Sequence, residues 1–314
     1  MKYITHSDIQ KLNIRKKVFF DWAKECLLQK DKTILPAKTS IALYNNSGFF
    51  NTMPSVLLSE NVYGAKIVSR NPKVAPSLRS NILLYNLETS NCLALLDGDY
   101  ITAFRTAACA VLSIKTLARK NFKTIGLIGL GNICRATLLV LLDVFKNKQL
   151  TLKLYLYKNN DNNIIQLLSD KTNVIIETFD NIKDVVVDSD VVISSVTYAP
   201  VDLTDPSWFK KGSLLVPIHT RGFLNCDKAF DRIIVDDFIH TKHFKNFDYF
   251  KNCYELSSVL DNKKLGRKNN DERIIAYNVG ISILDIYFAK KILNLIKVCQ
   301  RFGEEDIRDK YWVK

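Results

Sequence analysis

The sequence predicts an α/β protein in which a doubly wound parallel sheet follows an antiparallel α+β region. Its 314 residues are enough for about two domains at roughly 150 residues each. A composition of 47% hydrophobic and 25% charged residues is typical of globular proteins. After residue 122, short apolar runs alternate with helical patterns, and this alternation is typical of a parallel sheet covered on both faces.

The first part of the chain changes its hydrophobic period twice. Apolar residues at helical spacing predict an amphipathic helix over residues 7–30. The next apolar runs are short and strand-like, and they fall at residues 40–44, 48–53, 65–69, 82–87 and 92–96. Residues 88–91 separate the last two runs, so they form the turn of a hairpin. Helical spacing returns over residues 100–119, which predicts a long helix leaving an antiparallel sheet.

The second part begins with a buried strand at residues 124–128, and a glycine turn and a helix over 136–145 follow it. Further strands are predicted at residues 150–157, 191–195 and 213–218, and a further apolar run stands at 174–176. Residues 272–298 form one long helical pattern that begins near 277–280. We place that helix back on the first domain.

The net charge and the cysteines indicate which partners and metal sites the sequence disfavours. The chain carries 45 Lys and Arg against 32 Asp and Glu, a net charge of +13. These cations are scattered, and the longest basic stretch, residues 263–268, lacks the aromatic residues of a single-strand groove. We therefore expect a solvated basic surface and no nucleic acid.

Seven cysteines without a Cys-x-x-Cys pair disfavour disulfides and structural zinc, so we expect reduced thiols, no metal and a cytoplasmic location. No secretory signal and no membrane segment are expected.

A glycine turn joins the strand at 124–128 to the following helix. Gly129 would permit the tight turn, and Gly131 would let the backbone approach a pyrophosphate at the positive end of the helix dipole. Cys134 replaces the third glycine of the full motif. On these residues alone, a dinucleotide site and a plain strand-to-helix turn are equally good interpretations.

The end of the second parallel strand distinguishes between the two nicotinamide dinucleotides. An acidic residue there binds the ribose hydroxyls, whereas a cation favours a 2′-phosphate. No carboxylate stands in residues 156–160, and Lys158 is available for a phosphate. The prediction is NAD(P), with NADP(H) slightly preferred. The alternative is that Lys158 is one more solvated lysine.

Three further segments combine with the glycine turn into a recognisable pattern. They are Tyr-Gly-Ala-Lys at 63–66, Leu-Leu-Asp-Gly at 95–98 and Thr-Ala-Phe-Arg-Thr-Ala-Ala at 102–108. With this pattern the chain resembles the ornithine cyclodeaminase/mu-crystallin family of NAD(P)-dependent amino-acid enzymes, from about residue 36 to about 287. The resemblance implies a Rossmann-type domain at 119–255 and a discontinuous substrate-binding and dimerisation domain at 1–118 and 256–314. It also implies a homodimer.

The resemblance carries a set of site residues. For the substrate these are Lys38, Met53, Lys66, Arg105 and Thr106; for the cofactor, Gly129, Gly131, Asn132, Ile133, Lys158 and Gly280; for proton transfer, Lys66 with His219 or Asp227. Arg105 and Lys38 would hold the substrate carboxylate. The Arg105 guanidinium can bind it through two parallel hydrogen bonds. Lys66 would act as the base, since neighbouring cations and burial lower the pKa of a lysine.

Each assignment has a structural alternative. Arg105 can instead pair with Asp97 or Asp99 for stability alone. Lys66 can be an edge-strand lysine that blunts pairing. His219 follows a predicted strand at the carboxyl edge of the sheet, where ligands collect, but an ordinary loop histidine fits equally well.

The chain departs from the family pattern at two positions. Gly222 stands where the family usually has a catalytic Asp, so His219 or Asp227 would have to replace that carboxylate. Asn51 stands where ornithine-specific members have Glu, and this argues against ornithine as the substrate.

The function implied is hydride transfer at the α-carbon of a small amino or imino acid, as in ornithine cyclodeaminase. One alternative is a ketimine reductase or N-substituted amino-acid dehydrogenase. The other is a non-catalytic, crystallin-like protein that binds NADP(H).

Overall fold

The computed structural model describes residues 1–157, 161–197, 199–219, 221–297 and 312–313. Two compact units account for these residues. The first comprises Met1–Arg105 and Ile281–Trp312, and the second comprises Thr106–Gly280 and Val313–Lys314. The first unit is therefore discontinuous in sequence, and a single helix contains the boundary at residues 105 and 106.

The elements of the first part of the chain are β1 (Lys2–Ile4), α1 (His6–Lys11), α2 (Lys16–Leu28), β2 (Thr33–Ile34), β3 (Thr39–Leu43), β4 (Gly48–Leu57), β5 (Val62–Arg70), β6 (Leu78–Asn86), β7 (Cys92–Asp97) and α3 (Gly98–Leu117). The strands form one sheet in the order β1-β7-β6-β5-β4-β2, with β3 also paired to β4. The pairings from β2 to β7 are antiparallel, and β1 joins β7 in parallel.

The inner face of this sheet forms the core of the first unit. Buried positions alternate along β4 and β5 with half-buried ones, as expected for a sheet with only one covered face. Phe19 of α2 stacks on Phe104 of α3, with ring centroids 4.7 Å apart. These aromatic side chains are therefore core residues.

The remaining elements are β8 (Thr124–Ile128), α4 (Asn132–Val144), β9 (Leu150–Tyr155), α5 (Asp161–Leu167), β10 (Val174–Phe179), α6 (Ile182–Val186), β11 (Val191–Ser194), β12 (Leu214–Pro217), α7 (Leu224–Ala229), β13 (Arg232–Val235), α8 (Phe238–Thr241), β14 (Tyr254–Glu255), α9 (Leu256–Asp261), β15 (Ile274–Tyr277) and α10 (Ser282–Leu295). Strands β8 to β15 form a parallel sheet in the order β10-β9-β8-β11-β12-β15-β13-β14. The predicted α/β class with a doubly wound domain and an α+β region is confirmed.

The order of the parallel strands reverses beside β8, because β9 and β10 lie on one side of it and β11 on the other. In open α/β sheets, ligands bind at such a switch point, outside the carboxyl ends of the strands. The glycine turn after β8 lies at this place. The fold therefore puts the predicted dinucleotide motif where a ligand is expected.

The structure differs from the predicted elements in two places. The opening helix is interrupted, because Asn13 adopts a positive φ of 43° between α1 and α2. The final helical pattern begins as a strand: residues 274–277 are β15, buried between β12 and β13. A fully buried strand is apolar throughout, and its pattern cannot be told from that of a buried helix.

The placement of the final helix is confirmed, since α10 packs on β4, β5 and α2 within the first unit. The compact units divide at 105/106 and 280/281, so most of α3, α9 and β15 lie in the second unit; the domain boundaries at 118/119 and 255/256 stay a prediction. Within the described ranges, no helix combines the length and the apolar character needed to cross a bilayer.

Candidate active site

Lys66 lies on the inner face of the first unit's sheet. It is on β5 between Met53 of β4 and Ile82 of β6, and its side chain is only 2% exposed. A lysine that blunts a sheet edge is solvated, so this position excludes the edge-strand interpretation. A buried ammonium needs a partner.

That partner is Asp285 on α10. Its Oδ2 lies 2.8 Å from Lys66 Nζ, and its Oδ1 accepts a hydrogen bond of 2.9 Å from Arg105 Nε. The carboxylate is fully buried, and Arg105 is 4% exposed. One carboxylate therefore holds two buried cations, and among these three groups the cations exceed the anions by one.

The cluster changes the acidity of Lys66. Burial and the neighbouring Arg105 guanidinium lower its pKa from 10.5 to about 8, although Asp285 acts in the opposite direction. Lys38 lowers this pKa further. A lysine with a pKa near 8 can release and take up a proton close to neutral pH, which acid–base catalysis requires.

The structural alternative for Arg105 was an ion pair with Asp97 or Asp99; the structure shows an ion pair, but its partner is Asp285. Asp97 lies 3.3 Å from His6 Nδ1 and accepts the amide of Tyr100. Asp99 accepts the amide and the hydroxyl of Ser80, at 2.6 and 2.9 Å. Asp97 thus bonds to α1 and to the first turn of α3, and Asp99 bonds to β6. Arg105 pairs with Asp285 instead.

The glycine turn has the form of a phosphate cradle. Gly129 has a φ of 88°, and a Cβ there would lie 2.9 Å from the Val196 amide nitrogen. Among the described residues, no atom lies within 4 Å of a Cβ built at Gly131, so none of them crowds the backbone there. Gly131 caps α4 without a side-chain hydrogen bond, so the amides of the first turn can bind an anion. These observations fit a dinucleotide.

His219 follows β12 at the carboxyl edge of the parallel sheet. Its Nε2 lies 2.7 Å from Ser194 Oγ at the end of β11. Burial lowers its pKa to about 4, against the opposing effect of a hydrogen bond with the Arg221 backbone. His219 is therefore neutral at neutral pH and cannot supply a proton as an imidazolium.

Gly280 lies beyond β15 at the same edge of the sheet. It has a φ of 94°, and its amide donates to Asp236 Oδ2 over 2.6 Å. The positive φ explains the glycine, because other residues rarely adopt it. Asp236 was not among the predicted residues, and no sequence motif indicated it.

Asp227 is in the interior of the second unit. Its Oδ1 accepts a hydrogen bond of 2.6 Å from the Tyr277 hydroxyl, and its Oδ2 lies 3.4 Å from Asn246 Nδ2. Burial raises its pKa to about 6. The residue is fully buried, so these contacts support a structural role.

Gly222 has no room for a side chain. Its φ is 98°, and a Cβ would lie 2.8 Å from the Ala199 Cβ. The backbone has thus adapted to glycine, and the family's carboxylate is absent here for a steric reason as well as by sequence.

Four other predicted positions complete the set. Lys158 lies outside the described residues. Asn132 and Ile133 form the first turn of α4, and Thr106 follows Arg105 in α3. Across the part of the chain that the structure describes, no group of three or more potential metal ligands occurs.

The family model "Ornithine cyclodeaminase/mu-crystallin family" matches residues 7–298. The chain belongs to this family. Its fold and its glycine turn agree with that membership and with a dinucleotide cofactor.

Two relatives illustrate the similarity. The chain is 23% identical over 287 residues to a Δ1-pyrroline-2-carboxylate reductase of Bacillus cereus, covering 83% of this chain and 85% of that protein. The structure of the Thermococcus litoralis Δ1-pyrroline-2-carboxylate reductase in complex with NADH and L-proline superposes with a TM-score of 0.84. That match has 25% identity over 94% of this chain and 97% of the other. An archaeal alanine dehydrogenase dimer with bound NAD shares the fold, with a TM-score of 0.82, 22% identity, and coverage of 94% and 95%.

Proposed function

We propose that this protein is an NAD(P)H-dependent reductase of a small α-imino acid. The observation that carries the proposal is the buried cluster of Lys66, Asp285 and Arg105. It combines a carboxylate-binding guanidinium with a lysine that can transfer a proton near neutral pH. The relatives named as Δ1-pyrroline-2-carboxylate reductases support the direction of the reaction.

Arg105 and Lys38 bind the substrate carboxylate in this proposal. Among the described residues, the hydrogen bonds of the Arg105 side chain are confined to Nε, which donates to Asp285. Its two terminal nitrogens can thus bind a carboxylate in the bidentate geometry that guanidinium favours. Lys38 is half-buried and close enough to affect the pKa of Lys66.

Lys66 supplies the proton. In the reductive direction the ammonium gives a proton to the imine nitrogen, and the carbon–nitrogen double bond becomes a single bond as hydride reaches the α-carbon. NAD(P)H supplies that hydride when it is bound. In the oxidative direction neutral Lys66 takes the proton back from the amine. Asp285 holds the lysine in place through both states.

The second unit binds the dinucleotide in this proposal. Gly129, Gly131 and the amides of Asn132 and Ile133 hold the pyrophosphate, and Gly280 and His219 border the nicotinamide. The preference for NADP(H) rests on Lys158 as a contact for the 2′-phosphate. Asp227 keeps a structural role.

Cyclodeamination is the second candidate. It needs the same hydride chemistry but regenerates its cofactor, and in this family it uses the carboxylate that Gly222 cannot provide. A protein that binds NADP(H) without turnover is the third. The buried Lys66 with a pKa near 8 favours an enzyme, because a purely structural ion pair does not need a lysine that titrates there.

One assay separates these candidates. The purified chain is mixed with NADPH or NADH and with Δ1-pyrroline-2-carboxylate, and the absorbance of the reduced nicotinamide is followed. We expect a steady loss of absorbance and formation of proline, a result that identifies the type of reaction and not the preferred side chain. Ammonia release from ornithine with catalytic NAD+ and no net change in absorbance would instead identify a cyclodeaminase. Binding of NADPH without either reaction would identify a non-catalytic protein.

A homodimer is a second proposal. The outer face of the first unit's sheet carries half-buried apolar side chains in adjacent rows, including Val56, Tyr63, Ile67, Leu83 and Leu95. An apolar face of this kind is typical of an interface with another chain. Light scattering on a sizing column should give the mass of a dimer, and Leu83→Glu should give a monomer.

A further inference from the structure

Asn51 is a buried amide whose oxygen lacks a donor. It is on β4 and 8% exposed, and no described residue donates to its Oδ1. Buried polar atoms in folded proteins are almost always hydrogen-bonded, and an exception calls for an explanation. A ligand that donates to this oxygen is one such explanation.

The strand register places Asn51 beside the cation cluster. Met53 is opposite Lys66, and Asn51 is opposite the next inward residue, Val68. Asn51 and Met53 share the inner face, because alternate residues of a strand do. Asn51 is therefore a diagonal neighbour of Lys66, at about 7–8 Å between Cα atoms. A small amino acid can span that distance.

Lys38 lies near the same part of β4, on the edge opposite to the one that pairs with β5. β3 pairs with β4 so that Thr39 is opposite Thr52 and Ser40 is opposite Asn51. Lys38 directly precedes β3 and thus aligns with the row of Met53 and Lys66. Its effect on the pKa of Lys66 agrees with this placement. An amino acid whose α-carboxylate is held by these cations would have its side chain near Asn51.

Asp285 and Asp99, two carboxylates packed against the inner face of the sheet, already form ion pairs or hydrogen bonds within the protein. Asp285 holds Lys66 and Arg105, and Asp99 accepts two hydrogen bonds from Ser80. A substrate ammonium would lose its water and gain only the dipole of Asn51, which is unfavourable. An alkyl group would leave Oδ1 without a donor. A side chain with an uncharged hydrogen-bond donor avoids both the loss of ammonium hydration and an unsatisfied Oδ1.

We infer that Asn51 selects a substrate whose side chain carries an uncharged hydrogen-bond donor, a hydroxyl or a carboxamide. This inference rests on the proposed function, since it assumes that the cluster binds the α-carboxylate. Asn51 is then a specificity-determining residue of the same site.

Two matched series of L-amino acids test the inference. The shorter one is serine, 2-aminobutyrate and 2,3-diaminopropionate, and the longer one is 5-hydroxynorvaline, norleucine and ornithine. Each series differs only in a terminal hydroxyl, methyl or ammonium group. Calorimetry on the protein saturated with NADP+ gives the dissociation constants. In at least one series, we expect the hydroxyl member to bind about 10- to 100-fold more tightly than the other two.

Two variants assign the preference to Asn51. Asn51→Leu should abolish it, and the nearly isosteric Asn51→Asp should transfer it to the ammonium member. Asn81→Asp is the matched control, because Asn81 is exposed on β6; it should leave the preference unchanged.

Tighter binding of the methyl or ammonium members by the unmodified protein would overturn the inference, as would an unchanged preference in both Asn51 variants. Glutamate binding more tightly than glutamine would also overturn it. If no amino acid binds at all, the proposed function fails as well. Binding without a hydroxyl preference overturns only the role of Asn51.

Discussion

Asp285 Oδ2 lies 2.8 Å from Lys66 Nζ inside the first unit, and both side chains are almost completely buried. The two residues are far apart in sequence and come together because α10 returns to the sheet that contains β5. The carboxylate raises the pKa of the lysine, while burial and Arg105 lower it. Asp285 therefore keeps the pKa of Lys66 higher than burial and Arg105 alone would.

The rate should depend on pH with opposite signs in the two directions. Reduction requires the Lys66 ammonium, so its rate should fall as pH rises through about 8, the pKa of Lys66. Oxidation of the amine requires the neutral lysine, so its rate should rise over the same range. Profiles of kcat/KM for both directions check this. Profiles that are flat between pH 7 and 9 in both directions would remove Lys66 from proton transfer.

Asp285→Asn should move these profiles to lower pH. The amide keeps the shape of the side chain but loses the charge that raises the pKa of Lys66. The reductive limb should therefore appear below its position in the unmodified protein. A variant that loses activity equally at every pH would show that Asp285 acts only in holding the fold. Circular dichroism provides the check on folding.

Arg105→Ala should reduce kcat/KM by about 1.5 to 3.5 decades. Removal of one partner of a buried charge pair costs about 2–5 kcal/mol, and here the substrate carboxylate loses its bidentate donor as well. Arg79→Ala is the matched control, because Arg79 is exposed on β6. Steady-state kinetics on both variants test the assignment, and equal kinetics for the two would refute it.

The local parts of this site could be predicted from the sequence. The strand β8, the glycine turn and the start of α4 are contiguous in the chain, so periodicity and glycine placement were enough to find them. Lys66, Arg105 and the departure at Gly222 came from the resemblance to a family. The parallel sheet followed from alternating apolar runs, which is a local signal as well.

The long-range parts could not be found in this way. The ion pair between Lys66 and Asp285 depends on the return of α10 to the first unit, and no local pattern encodes which carboxylate a buried lysine meets. Asp97 and Asp99 were plausible partners for Arg105 because they are near in sequence. The apolar pattern predicts a helix where β15 lies, since a fully buried strand has no alternation of apolar and polar residues.

The two glycines of the turn should respond differently to alanine. At Gly131 a Cβ meets no atom within 4 Å in the part of the chain that the structure describes, so Gly131→Ala should fold normally. The added methyl would occupy the space expected for the pyrophosphate, and overpacking of about 1–3 kcal/mol would weaken NADPH binding by roughly 10- to 100-fold. Fluorescence titration measures that loss.

Gly129→Ala should instead lower stability. Its φ of 88° and the 2.9 Å approach to the Val196 amide strain any side chain, at a cost of about 1–3 kcal/mol. Denaturant unfolding distinguishes this variant from Gly131→Ala. Unimpaired NADPH binding by Gly131→Ala would place the dinucleotide elsewhere.

Gly222→Ala should destabilise the protein, and Gly222→Asp should not create a cyclodeaminase. A φ of 98° is strained for any other residue, and the new Cβ would lie 2.8 Å from the Ala199 Cβ. We expect a loss of about 1–3 kcal/mol in the free energy of unfolding. Adding Ala199→Gly should recover part of the loss, because it removes the clash but leaves the strained φ. Full stability of Gly222→Ala, or ornithine turnover by Gly222→Asp, would show that the backbone at this position can adapt to the family's usual carboxylate.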